Sequence, residues 1–148
     1  MKHHALEQLQ AVANVNPDYP RPVPEMSRRQ RLERWAQLLE LSRHDGLSTL
    51  RETEYKPAKE RALMRVDNSP ISVAFADPVL QAAGLESDSY GEAKQFFELS
   101  DRQLHHLVCY CHFGATVSAA RAAGYVRAMA AAGDRKGILA RLRNIFVI

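Results

Sequence analysis

The sequence predicts an all-α protein, a compact bundle of about six or seven mostly short helices with at most one short extended segment near residues 71–75. Three observations lead there. Ser27 with Gln30, and Ser100 with Gln103, have the spacing of a capping box, in which a serine and a glutamine three residues on cap a helix start reciprocally. Apolar residues after each start recur at helical intervals. Proline and glycine then interrupt the pattern often enough to keep the helices short. With 148 residues, 46% hydrophobic and 25% charged, the chain is long enough for one core and ordinary for a globular protein.

Taken in order, an N-terminal helix is expected within residues 1–15, where Leu6, Leu9 and Val12 share one face. Residues 16–26 hold Pro17, Pro20, Pro22 and Pro24, which exclude a helix and favour an extended connector or a polyproline ligand. The helical domain then spans residues 27–148. Its first helix turns Leu32, Trp35, Leu38 and Leu39 inward, stops by Gly46 and presents Arg28, Arg29, Arg31 and Arg34 as solvated surface. Residues 47–55 are ambiguous. Pro57 opens a helix to about Val66, closed by the Asp67-Asn68-Ser69-Pro70 turn. Ile71, Val73 and Phe75 alternate, as a short extended piece does. Asp77-Pro78 starts a helix with the carboxylate as N-cap, and Gly84 marks its exit. Ser87 or Ser89 caps a helix that sends Tyr90, Ala93, Phe96 and Phe97 to the core. The helix from Ser100 is expected to reach His112, with Gly114 beyond it. Thr116 or Ser118 caps an alanine-rich helix that Gly133 stops, and a basic helix over 134–144 leads to the apolar tail Ile145-Phe146-Val147-Ile148.

The net charge of +3 is unevenly spread. Acids dominate residues 86–101, whereas Arg121, Arg127, Arg135, Lys136, Arg141 and Arg143 follow His112 against Asp134 alone, a distribution suited to an anionic partner or to a solvated helix face. No apolar run is long enough for a membrane span, and Met1-Lys2-His3-His4 opens no apolar signal segment, so a cytoplasmic protein with reduced thiols and no membrane partner is expected. Cys109 and Cys111 are separated by one residue, and helical geometry does not bridge that spacing.

The densest chemistry lies in residues 101–112. Wound as one continuous helix, they place Leu104, Leu107, Val108 and Cys111 on the core stripe and set His105, Cys109 and His112 at i, i+4 and i+7 on the next. Imidazole and thiolate donors so spaced suit zinc, with a fourth ligand from elsewhere. His105 and Cys109 also have the makings of a nucleophile pair, but no third group or oxyanion hole accompanies them. Residues 114–127 resemble a helix-turn-helix in one respect, Ala120 standing four residues before Gly124. The reading helix implied there offers Arg127 as its one base-capable side chain, so a single helix over 117–132, with Gly124 admitting a close neighbour, is the better expectation. The chain contains no GxGxxG, GxxxxGK[ST], HExxH, GxSxG or CxxC motif, and no catalytic residue is assigned. The expected function is a non-catalytic interaction or regulatory module, binding a protein partner or a second copy through its C-terminal third, with Ile145, Phe146, Val147 and Ile148 at the interface. The alternatives are a nucleic-acid binder using the six basic residues after His112 and a zinc protein centred on His105, Cys109 and His112.

Overall fold

Ser27 begins the first helix as its spacing predicts: its hydroxyl accepts from the Gln30 backbone N–H at 3.2 Å, and the Gln30 side chain accepts from the Ser27 N–H at 2.9 Å. The computed structural model describes residues 25–145, with side chains through residue 133. The expected N-terminal helix, nearly all of the proline-rich connector and residues 146–148 lie outside the described residues. The order along the chain is α1 (Arg28–Glu40), β1 (Gly46–Ser48), α2 (Ala58–Ala62), α3 (Pro70–Phe75), α4 (Pro78–Ala82), α5 (Tyr90–Phe96), α6 (Asp101–Val108), α7 (Tyr110–Phe113), β2 (Thr116–Ser118) and α8 (Ala119–Ile145). Among the described residues the fold is mostly helical with one small two-stranded sheet.

The core forms where α1 meets the first half of α8. Leu32, Trp35, Ala36 and Leu39 line the inner face of α1, and Ala122, Ala123, Val126, Met129 and Ala130 oppose them from α8. The pair is antiparallel: Arg127 grips Glu40 at the end of α1 through two bonds of 2.8 Å, while Gly133 lies against Arg28 at its start. Trp35 stacks on Phe97 at 4.2 Å, Phe96 meets Phe97 edge-on at 4.9 Å, and the indole N–H donates to the Pro70 carbonyl at 2.9 Å. Burial of these rings supplies apolar area, and the indole's one polar atom is satisfied.

Four expectations need correction. Residues 70–75 are helical, because the Ser69 hydroxyl caps the Ser72 N–H at 3.1 Å and Pro70 occupies the first turn; that start signal outweighs a three-residue alternation. The extended chain lies instead at β1 and β2, paired antiparallel with Leu47 opposite Val117, both buried. Second, α8 is one helix from Ala119 to Ile145, without a turn at Gly124, as expected, but Gly133 does not stop it, and Val117 and Ser118 are strand. Each interior glycine costs about 1 kcal/mol against alanine, a cost that packing against α1 outweighs. Gly124 also admits no neighbour, since a Cβ built there meets nothing within 4 Å. Third, the arginines of α1 are not merely solvated: Arg34 holds Asp77 with two bonds of 3.0 and 2.8 Å, and Arg31 holds Glu98 at 2.7 Å. Finally, α2 ends at Ala62 rather than near Val66.

Candidate functional site

The segment 100–114 starts as its sequence predicts and then departs from it. Ser100 and Gln103 form the second capping box, and Leu104, Leu107 and Val108 are buried. At Cys109 the backbone turns extended, with φ −80° and ψ 138°, and a short helix resumes at Tyr110. The continuous helix is therefore broken, and the cause is tertiary. Leu50 lies alongside as an isolated parallel bridge: its N–H donates to the Val108 carbonyl at 2.8 Å, and its carbonyl accepts from the Tyr110 N–H at 2.9 Å. Those bonds serve backbone groups that a continuing helix would have paired internally. Gly114 closes the short helix at φ 76° and ψ −153°, a conformation essentially restricted to glycine. Its carbonyl accepts from the Thr49 hydroxyl.

The break exchanges the expected roles of the two thiols. Cys109 is buried and Cys111 exposed, the reverse of the arrangement a continuous helix dictates. Among the described residues two donor sets result, each with its ligand atoms within 4.8 Å of one another: His105, Cys111 and His112, and Glu54, Cys109 and Cys111. His105 and His112 thus stay together, whereas Cys109 joins the second set and Cys111 belongs to both. Cys109 Sγ lies 2.9 Å from Cys111 Sγ and 3.4 Å from Glu54 Oε1. A tetrahedral zinc ion with bonds of about 2.0–2.3 Å needs donors about 3.3–3.8 Å apart, the scale of the spacing within each set. Glu54 is not among the ligands that the sequence predicts. It comes from the ambiguous stretch after β1, and only the pairing of Leu50 with the 108–110 backbone brings it here.

A third imidazole, His106, lies 4.4 Å from the His112 ring and 4.7 Å from the Tyr125 ring. Desolvation, then His112, then His105 and Arg102, hold His106 below the usual imidazole range. His105 is lowered as well, first by desolvation and next by His112, with Asp101 pulling the other way. Neutral imidazoles present lone pairs to a metal. Cys111 is exposed as a residue, yet desolvation of its sulfur, followed by the hydrogen bond and repulsion from Cys109 and Glu54, pushes its thiol up to about 12. The cluster thus repels added negative charge, which a divalent cation would offset.

Two clefts flank the cluster. One, of about 540 Å³, is lined by His106, His112, Phe113, Arg121 and Tyr125; the other, of about 350 Å³, by Arg51, Glu54, Tyr55, Tyr110 and Cys111. A third cleft, between α2 and α5, includes Tyr90 and Asp101, apart from the thiols. Of the six basic residues expected to contact nucleic acid, Arg127 is engaged with Glu40 and Arg121 lies over the Phe113 ring at 5.7 Å. The side chains of Arg135, Lys136, Arg141, Arg143 and Ile145, and all of Phe146, Val147 and Ile148, lie outside the described residues. No helix among the described residues is long and apolar enough to cross a membrane. No protein-family model, curated protein or solved structure matches the chain.

Proposed function

We propose that this is a metal-binding protein whose ion, zinc by donor chemistry, is held by His105, Cys111 and His112. The observation that carries the reading is the convergence of those three donors within 4.8 Å. Two imidazoles and a thiolate match the ligand preferences of zinc rather than of calcium or magnesium, which take oxygen. Cys109 and Glu54, which adjoin Cys111 in the second donor set, are the candidates for a fourth ligand. Untagged protein titrated with zinc against a chromophoric chelator should take up one ion per chain. Cys111→Ser and His112→Ala replace exposed side chains, so the fold should survive while affinity falls by about tenfold or more. Cobalt in place of zinc should show thiolate-to-metal absorption that Cys111→Ser weakens. Failure to retain stoichiometric zinc or cobalt would overturn the reading.

A second role is favoured by the length of α8. It continues past Gly133, which lies against the start of α1, to Ile145, and its sequence there carries Arg135, Lys136, Arg141 and Arg143. Contact with a protein partner or a second copy through this end, or with nucleic acid phosphates through its charge, is the corresponding proposal. Solution mass before and after truncation behind Asn144, and salt-dependent binding of a labelled duplex, test the two forms separately.

A further inference from the structure

The exclusion of a Cys109–Cys111 bridge rested on a helix that the structure breaks. With Cys109 extended, the two sulfurs stand 2.9 Å apart, about 0.9 Å more than a disulfide bond requires. The thiols also differ in access, Cys111 exposed and Cys109 buried behind it. Glu54 completes the line, its Oε1 accepting from Cys109 Sγ at 3.4 Å.

We propose that Cys109 and Cys111 are a two-electron dithiol–disulfide couple, Cys111 exchanging with a small-molecule disulfide of the glutathione class and Cys109 resolving the product. The small fraction of Cys111 present as thiolate, its proton given to solvent, attacks one sulfur of oxidised glutathione; the glutathione S–S bond breaks, a mixed disulfide forms on Cys111, and one glutathione leaves as thiolate and takes up a proton. Cys109 then passes its proton to the Glu54 carboxylate and attacks Cys111 Sγ, expelling the second glutathione. Two protein thiols and one oxidised glutathione become one protein disulfide and two reduced glutathiones, so the protein is oxidised as the small molecule is reduced. Access sets the order of attack, because the bulky disulfide reaches Cys111 alone. Oxidation also removes the one donor common to both ligand sets, and would release a bound ion. That consequence rests on the metal reading, whereas the couple stands on the sulfur geometry.

The full chain, reduced and stripped with a chelator, is equilibrated with mixtures of reduced and oxidised glutathione, quenched in acid and weighed by mass spectrometry. A monomer lighter by two hydrogens should form, both thiols disappearing together. Cys111→Ser should leave Cys109 unmodified. Glu54→Gln should accumulate the mixed disulfide on Cys111 and slow its resolution by about tenfold or more. In the unsubstituted chain, stable glutathione adducts, a disulfide-linked dimer, or two free thiols under mixtures that oxidise a reference dithiol would each overturn the couple. A parallel run on zinc-loaded protein with a zinc-sensitive dye should release the ion in step with thiol loss. A chain that never binds zinc but forms the disulfide defeats the metal reading alone; one that binds zinc while its thiols never pair defeats the couple alone.

Discussion

Replacing Asp77 by asparagine isolates the charge from the cap at one position. The Asp77 carboxylate receives two bonds from Arg34, at 3.0 and 2.8 Å, and a third from the Leu80 N–H at 3.2 Å as the N-cap of α4. Its side chain is 4% exposed and that of Arg34 is 37% exposed. Breaking a fully buried ion pair costs about 3–5 kcal/mol; with the arginine reaching solvent, about 2 kcal/mol is expected for Asp77→Asn. Asparagine retains the cap, so Asp77→Ala should cost about 1 kcal/mol more. The molecule contains a single tryptophan, Trp35, fully buried against Phe97, so its fluorescence follows unfolding in urea directly. The Arg34 hydrogen bonds, reinforced by the backbone N–H of Leu80 and opposed by burial, hold the Asp77 carboxyl below its ordinary value. Its contribution is therefore complete above the unfolded-state value of about 3.9 and is lost as pH falls through the lower folded value. The gap between wild type and Asp77→Asn should be constant near neutrality and close in acid. A gap below about 0.5 kcal/mol at neutral pH, the scale of an exposed ion pair, or one that persists undiminished in strong acid, would refute the argument.

Three glycines test the packing and the site by the same unfolding assay. A Cβ at Gly91 would lie 2.8 Å from the Ala62 Cβ and 3.0 Å from its Cα and carbonyl oxygen, so Gly91→Ala must push α5 from α2 and should destabilise by about 1–3 kcal/mol. Gly124→Ala meets open space inside α8 and should stabilise by about 0.5–1 kcal/mol. Gly114→Ala forces a side chain into φ 76° and ψ −153°; a cost of about 1–3 kcal/mol, with zinc affinity falling alongside, is expected, and unchanged affinity would separate that turn from the metal centre.

Local signals were the legible part of this fold. Both capping boxes, the Asp77-Pro78 start, the Gly84 exit and the inward faces of α1, α5 and α6 follow from contacts spanning a few residues, and each is found as predicted. What escaped depends on groups far apart in the chain. Leu47 pairs with Val117 and Leu50 with the backbone on either side of Cys109, yet residues 47–55 carry no periodicity that announces either partner. Nor does Cys109 advertise a break: neither proline nor glycine lies between Ser100 and His112. The helix yields there because Leu50 offers the Val108 carbonyl and the Tyr110 N–H two good hydrogen bonds, removing the penalty for leaving the ladder.

That single tertiary event decides the chemistry. A one-residue extension at Cys109 reverses which thiol meets solvent, keeps His105 beside His112 and brings Glu54 to the sulfurs. The residue types at the site were readable as metal ligands; their grouping was not, because the angular arithmetic of a helix holds only while its own hydrogen bonds outcompete those offered from outside. The same competition explains why the site sits at this place in the fold. The extended link and the Gly114 turn stop 100–114 from acting as one rigid rod, and they set His105, Cys111 and His112 within 4.8 Å of one another while Glu54 approaches the sulfurs from a distant loop.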